Sequence, residues 1–175
     1  SGDWSSDVCS SDLFALKALL ISVAPTKKGE QGACMTWKEI DASIQEAGGL
    51  NGHSALIVRT LPNALSKREV NHSSADAPYF EALVGKELAA RGIEHWVVDL
   101  PSVDREEDGG ALACHRTFWG LGPKARTPGP EARSHATITE LVYVPQGAQD
   151  GTWSLSLQVS PWANDAAPSR PVIYR

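Results

Sequence analysis

Apolar and polar positions change period several times along the chain, and each period predicts an element. From Thr36 to Ala47 the apolar residues Trp37, Ile40 and Ile44 share one face of a helix. Thr36 and Glu39 have the T-x-x-E spacing at which each side chain satisfies a free backbone N–H of the first turn, and Gly48-Gly49 can end the helix. Ala55 to Thr60 (ALIVRT) is a short β-branched run, hence a strand, and Asn63 to Ala77 is polar and irregular. Pro78 predicts the start of a second helix, where its missing N–H costs nothing. Phe80, Leu83, Val84 and Leu88 make the apolar face of that helix and Gly92 stops it. Ile93 to Leu100 (IEHWVVDL) follows as a strand. Strand, helix, strand in this order predicts a crossover unit with parallel strands.

The two ends of the chain read differently. Leu13 to Ala24 (LFALKALLISVA) is an apolar run broken by Lys17. It is too short to span a bilayer, and the residues before it carry Asp3, Asp7 and Asp12 with no Lys or Arg, the opposite of a secretory leader. It predicts a buried helix end or strand. Ser1 to Leu13 (SGDWSSDVCSSDL) has neither period and resembles the translation of a sequencing adapter. The expectation is therefore a non-native segment over 1–13, a native frame beginning near Phe14, and one domain over 14–175. Gly120 to His135, rich in Pro, Gly and Arg, reads as a surface loop. Thr137 to Val144 (TITELVYV) and Trp153 to Val159 (WSLSLQV) both alternate, with Pro145, Gly147 and Gly151 between them, and so predict an antiparallel pair. Pro171 to Tyr174 adds an edge strand.

Composition narrows the class. The 175 residues are enough for one domain with a substantial core, and 42% apolar with 21% charged residues is ordinary for a soluble globular protein. The net charge of −5 and the lack of a basic block leave no electrostatic footprint for nucleic acid. Cys9, Cys34 and Cys114 are odd in number and widely spaced, which argues against a disulfide framework or a zinc ribbon. A reducing, cytoplasmic setting is the default expectation, with no membrane partner.

A few residues could carry chemistry. In TITELVYV, Glu140 shares a face with Ile138, Val142 and Val144. Either that face meets water, or the carboxylate is protonated, ion-paired or bound to a metal. His115 lies between an acidic loop and the aromatic pair Phe118-Trp119, and is a structural histidine or a ligand. Cys114 and His115, as chain neighbours, point apart and make a poor catalytic pair. Pro101 to Gly110 (PSVDREEDGG) follows a strand end, where open α/β sheets bind ligands. Its acids imitate the start of a calcium loop, but the twelfth position is His115 rather than Glu. No nucleophile elbow, Walker A loop, dinucleotide fingerprint or H-E-x-x-H is present. Trp37, Trp96 and Trp153 fit core positions.

These segments resemble a known family. Leu56 to Asn63 (LIVRTLPN), Val97 to His115 (VVDLPSVDREEDGGALACH), the H-R-x-F-W step from His115 to Trp119, Thr137 to Pro145 (TITELVYVP) and Leu157 to Val172 (LQVSPWANDAAPSRPV) look like the cyclase family, which includes kynurenine formamidases and isatin hydrolases. The resemblance runs from about Ala18 to the C-terminus, and LPSVD, H-R-x-F-W and D-A-A-P-S-R-P are its most specific parts. It implies an α/β protein with a layered β/β/α core, truncated at its N-terminus, and a mixed sheet. It implies a Zn2+ or Mn2+ hydrolase acting on a small amide, formamide or lactam, N-formylkynurenine of tryptophan catabolism being the best-known case. It also implies homo-oligomers. By resemblance His115 and Glu140 match two metal ligands, and Ser102 and Asp104 match an S-x-D step that lines the site or steadies its ligands. The family's N-terminal H-x-x-x-H-x-D/E, which supplies the other ligands, occurs nowhere in this chain. The chain is therefore expected to be the inactive C-terminal part of such a hydrolase. The alternative is a binding or assembly module that keeps the fold without the chemistry.

Overall fold

The computed structural model describes residues 15–27, 32–72, 77–160, 164 and 166–175. The adapter-like segment Ser1 to Leu13, with Cys9, lies outside the described residues. The apolar run near the start forms strand β1 (Leu16–Val23). Its even and odd residues enter two different cores: Leu19, Ile21 and Val23 on one side, Leu16, Ala18 and Leu20 on the other. A strand covered on both faces needs apolar residues at nearly every position, which is why the run had no clean alternation. Short strands β2 (Thr26–Lys27) and β3 (Ala33–Met35) follow, then helix α1 (Trp37–Glu46). The Thr36/Glu39 capping box is present on both sides, and Ile40 and Ile44 are buried.

β4 (Ala55–Thr60) lies parallel to β1, and β6 (His95–Val98) lies parallel to β4, as the strand–helix–strand order predicted. Between them stand β5 (Tyr79–Phe80) and α2 (Ala82–Ala90). The second helix thus starts at Ala82 rather than Pro78. Tyr79 and Phe80 pair with Cys34 and Met35 of β3, and the Phe80 N–H donates to the Val103 carbonyl, so tertiary pairing overrides the proline signal. Phe80 is buried from a strand, and Leu83, predicted for the apolar face, is exposed.

Thr137 to Val144, predicted as one strand, also departs from its pattern. Only β7 (Thr137–Thr139) is strand, and it runs parallel to β6. Leu141 then turns through φ 57°, and residues 141–148 cross one face of the sheet as a strap, burying Val144 and Ala148 against Ala55, Ile57 and Val97. β8 (Gly151–Ser156) pairs antiparallel with β1, not with β7. The alternation read as a strand came from a segment lying on a sheet. β9 (Val172–Tyr174) completes the sheet as the predicted edge strand, in the order β7-β6-β4-β1-β8-β9. A smaller sheet, β2-β3-β5, stands beside it. This is the mixed-sheet α/β fold that the sequence implied. Among the described residues no helix is long and apolar enough to cross a membrane.

The strap is held by Arg59, which is buried at the end of β4. It donates to the carbonyls of Pro145 (3.0 Å) and Ala148 (2.7 Å), to Ser22 Oγ (2.8 Å) and to Asp150 Oδ1 (2.8 Å). Arg59→Met keeps most of the volume but removes all four bonds and leaves the Ala148 carbonyl without its buried donor, while Asp150 and the Pro145 carbonyl still accept from Ser22 and the Ala148 N–H, at a cost of about 2 kcal/mol. Urea unfolding should show a lower midpoint, and an unchanged midpoint would mean that water replaces the guanidinium freely.

Candidate metal centre

Helix α3 (Ala113–Phe118) is too short to hold itself together, and a single buried carboxylate organises its first turn. Asp104 accepts the backbone N–H of Cys114 (2.7 Å to Oδ1) and of His115 (3.1 Å to Oδ2). The same Oδ2 lies 2.7 Å from His115 Nδ1. The acid therefore caps the helix and orients the imidazole it carries. With Nδ1–H directed at a carboxylate, the free ring nitrogen is Nε2. Ser102 contributes one step behind, its hydroxyl accepting the Asp104 N–H at 3.1 Å. Neither Ser102 nor Asp104 lines the cavity into which His115 opens. Asp108 caps the turn ahead of α3, accepting from Gly110 and Leu112. Asp99 is bound to Thr60 and Lys67. Asp99, Asp104 and Asp108 are thus held by backbone and local partners, and among the described residues the acids form no group that could hold a calcium ion.

Glu140 stands just past the end of β7, half-buried, not on the core face of a long strand. Its Oε1 accepts the Val103 N–H (2.9 Å) and lies 3.4 Å from His115 Nε2. Residues 25 apart in sequence, on different elements, thus meet at their polar ends. Two donors each about 2.1 Å from a tetrahedral cation are separated by about 3.4 Å, so the pair has the span of two positions of such a site. Among the described residues, no third His, Cys, Asp or Glu joins them in a group that could hold a metal ion.

Electrostatics follow this geometry. Burial pulls the His115 pKa down, but hydrogen bonds to Asp104 and Glu140 outweigh it and lift the value to about 9. Burial raises Asp104, yet the hydrogen bonds from His115 and Cys114 bring it below the usual carboxylate range. The Cys114 thiol is pushed up, first by burial and then by the Asp104 charge. It points into the core and donates toward the Glu81 carbonyl at 3.7 Å, so it stays protonated and offers no nucleophile.

His115 and Glu140 open onto a cavity of about 770 Å³ whose walls include Trp119, Thr139, Tyr143, Val159 and Arg170. The Trp119 ring lies 5.2 Å from the imidazole, fixed by its Nε1 donating to the Ala136 carbonyl (3.0 Å). Arg133, from the Pro/Gly/Arg-rich loop, clamps the end of α3 by donating to the carbonyls of Phe118 (2.8 Å) and Ile93 (2.6 Å). Composition marked that loop only as surface, and nothing in its sequence signalled the clamp. The Val103 backbone N–H was equally invisible, since a backbone donor leaves no sequence trace.

No curated protein matches the sequence. Among solved structures the fold is similar to a potential metal-dependent hydrolase with cyclase activity (TM-score 0.61, 14% identity, covering 95% of this chain and 68% of that one). It is also similar to a predicted metal-dependent hydrolase from Bacillus stearothermophilus (0.60, 13%, 99% and 70%). A third likeness is to isatin hydrolase A from Labrenzia aggregata, bound to benzyl benzoate (0.58, 11%, 98% and 67%). At these identities the likeness is one of fold. The family model described as "Putative cyclase" matches residues 2–105, more than half of the chain. The chain belongs to the cyclase family.

Proposed function

We propose that this chain belongs to a metal-dependent hydrolase of a small amide, formamide or lactam, in which His115 and Glu140 supply two of the metal ligands. The reading is carried by one observation: His115 Nε2 and Glu140 Oε1 face each other at 3.4 Å while Asp104 holds the opposite ring nitrogen. Structural neighbours described as metal-dependent hydrolases support the same class. A bound Zn2+ or Mn2+ would supply a Lewis acid that polarises the scissile carbonyl and makes water a better nucleophile. The chain's own residues do the rest. Asp104 fixes the imidazole, the Val103 N–H steadies Glu140, and Trp119 and Tyr143 wall a cavity of the size that takes small ligands. The remaining ligands would come from outside the described residues.

Metal binding must displace the proton that His115 holds between two carboxylates, so uptake should be measured near neutral pH or above. Zn2+ or Mn2+ titration should show one weak site, weakened at least about ten-fold by His115→Ala and by Glu140→Gln. Undiminished uptake in both variants would refute the assignment. With two donors the purified chain should not turn over an aryl formamide. Metal-dependent turnover would show that a third ligand is present.

A second reading is favoured by the lack of a third donor among the described residues: a binding or assembly module that keeps the fold. It predicts no metal uptake at all by the wild-type chain, so the same titration separates the two.

A further inference from the structure

We infer that Arg170 is an anion-docking residue of the His115/Glu140 cavity, so that this site selects substrates carrying a carboxylate. The inference rests on reading that cavity as a substrate site. Most other arginines among the described residues are engaged. Arg59 pairs with Asp150 and Arg91 with Glu87, while Arg116 and Arg133 are spent on carbonyls. Arg68 and Arg175 lie over the Tyr143 and Trp153 rings. Arg170 has no side-chain partner among the described residues, yet it lines the cavity. Arg126, from the surface loop, does not. Glu140 is the one carboxylate among the described lining residues, and it is already engaged by the Val103 N–H and His115. Among the described residues, Arg170 therefore lines the cavity with no carboxylate against its side chain.

Its backbone is fixed. The Arg170 N–H donates to the Gln158 carbonyl (3.2 Å), the Ser160 N–H to the Pro168 carbonyl (3.0 Å), and Val159 and Ser169 form an antiparallel bridge. A planar fork presented from an anchored segment matches a carboxylate by paired charge-assisted hydrogen bonds. A phenyl or alkyl body would then lie against the Trp119, Tyr143 and Val159 side of the same cavity.

The test uses the purified chain with benzoate and its neutral isostere benzamide as probes, at low ionic strength. Wild type should bind benzoate about ten-fold more tightly than benzamide. Arg170→Gln should abolish that preference while leaving benzamide affinity unchanged, and Arg170→Lys should restore part of it. Equal binding of the two probes by wild type, a preference that survives in Arg170→Gln, or an equal loss of both probes would overturn the inference. Zinc uptake by Arg170→Gln should equal that of wild type. If His115→Ala leaves zinc uptake unchanged while the benzoate preference persists, the metal reading fails and the docking role stands.

Discussion

Gly85→Val is expected to leave little folded protein, and Gly85→Ala to lower stability by about 1–3 kcal/mol although alanine is the better helix former. On an exposed helix face the exchange to alanine would gain roughly 1 kcal/mol. Here a Cβ on Gly85 would sit 2.5 Å from the Cys114 carbonyl oxygen, 2.8 Å from Thr117 Oγ1 and 3.1 Å from the Phe118 nitrogen. Two of those atoms are backbone, so relief requires α3 to move as a body. That helix is tied on several sides: Asp104 holds its start, Thr117 donates to the Ala82 carbonyl (2.7 Å), and Phe118 packs 5.6 Å from Trp96 in the core. Valine adds two methyl groups to the same contact, in a domain whose whole stability is of the order of 5–15 kcal/mol. Urea unfolding and thermal melts measure both variants. Gly129→Ala, with open space around it, is the control and should be close to neutral. A neutral or stabilising Gly85→Ala would mean that the two helices are free to part. Because α3 also carries His115, the alanine variant should weaken metal uptake too.

Some of this architecture was legible in the sequence because its causes are local. The capping box, the two glycines after α1 and the β-branched run of β4 each act within a few residues, and each appears where it was read. The crossover from β4 to β6 followed from element order and chain handedness. The failures share a different cause. Tyr79 and Phe80 were captured by β3, which stands more than forty residues earlier, and no neighbouring residue announces that. Residues 141–144 alternate because they cross the face of a sheet, and alternation alone does not separate that from a strand within it. At the site, residue type and resemblance picked out His115, Glu140, Ser102 and Asp104, and the fold brings the first two together. Glu140 nevertheless does not sit on the core face of a long strand, since it stands just past the three-residue strand β7 at a cavity wall. By residue type Asp104 was one of four acids between Pro101 and Gly110; resemblance singled it out, and the fold shows what it does, which is to cap α3 and hold the His115 ring. Arg133 carries no local signal, because its clamp depends on carbonyls of distant backbone, whereas Arg170 lies in the D-A-A-P-S-R-P stretch that resemblance marked without giving it a role.

Asp104 is where stability and chemistry meet, and its two simplest substitutions should separate them. Asp104→Ala removes three hydrogen bonds at once: those to the N–H groups of Cys114 and His115 and that to His115 Nδ1. The first two leave helix donors unmet beside a buried core, so a loss of about 3 kcal/mol is expected. Zinc uptake should fall by about 10–100-fold, the usual consequence of freeing a ligating imidazole from its partner. Asparagine is the sharper probe. Its single oxygen can still accept from Cys114, so a good part of the stability should return. Its amide nitrogen, however, faces His115 as a donor, which favours the ring tautomer with the proton on Nε2, the nitrogen aimed at Glu140. Because the amide nitrogen also meets the His115 backbone N–H, Asp104→Asn should melt between the alanine variant and wild type and still bind zinc as poorly as the alanine variant. Thermal melts and zinc titration on the same samples decide it. If the asparagine variant takes up zinc like wild type, Asp104 is a helix cap alone and His115 does not depend on it for direction.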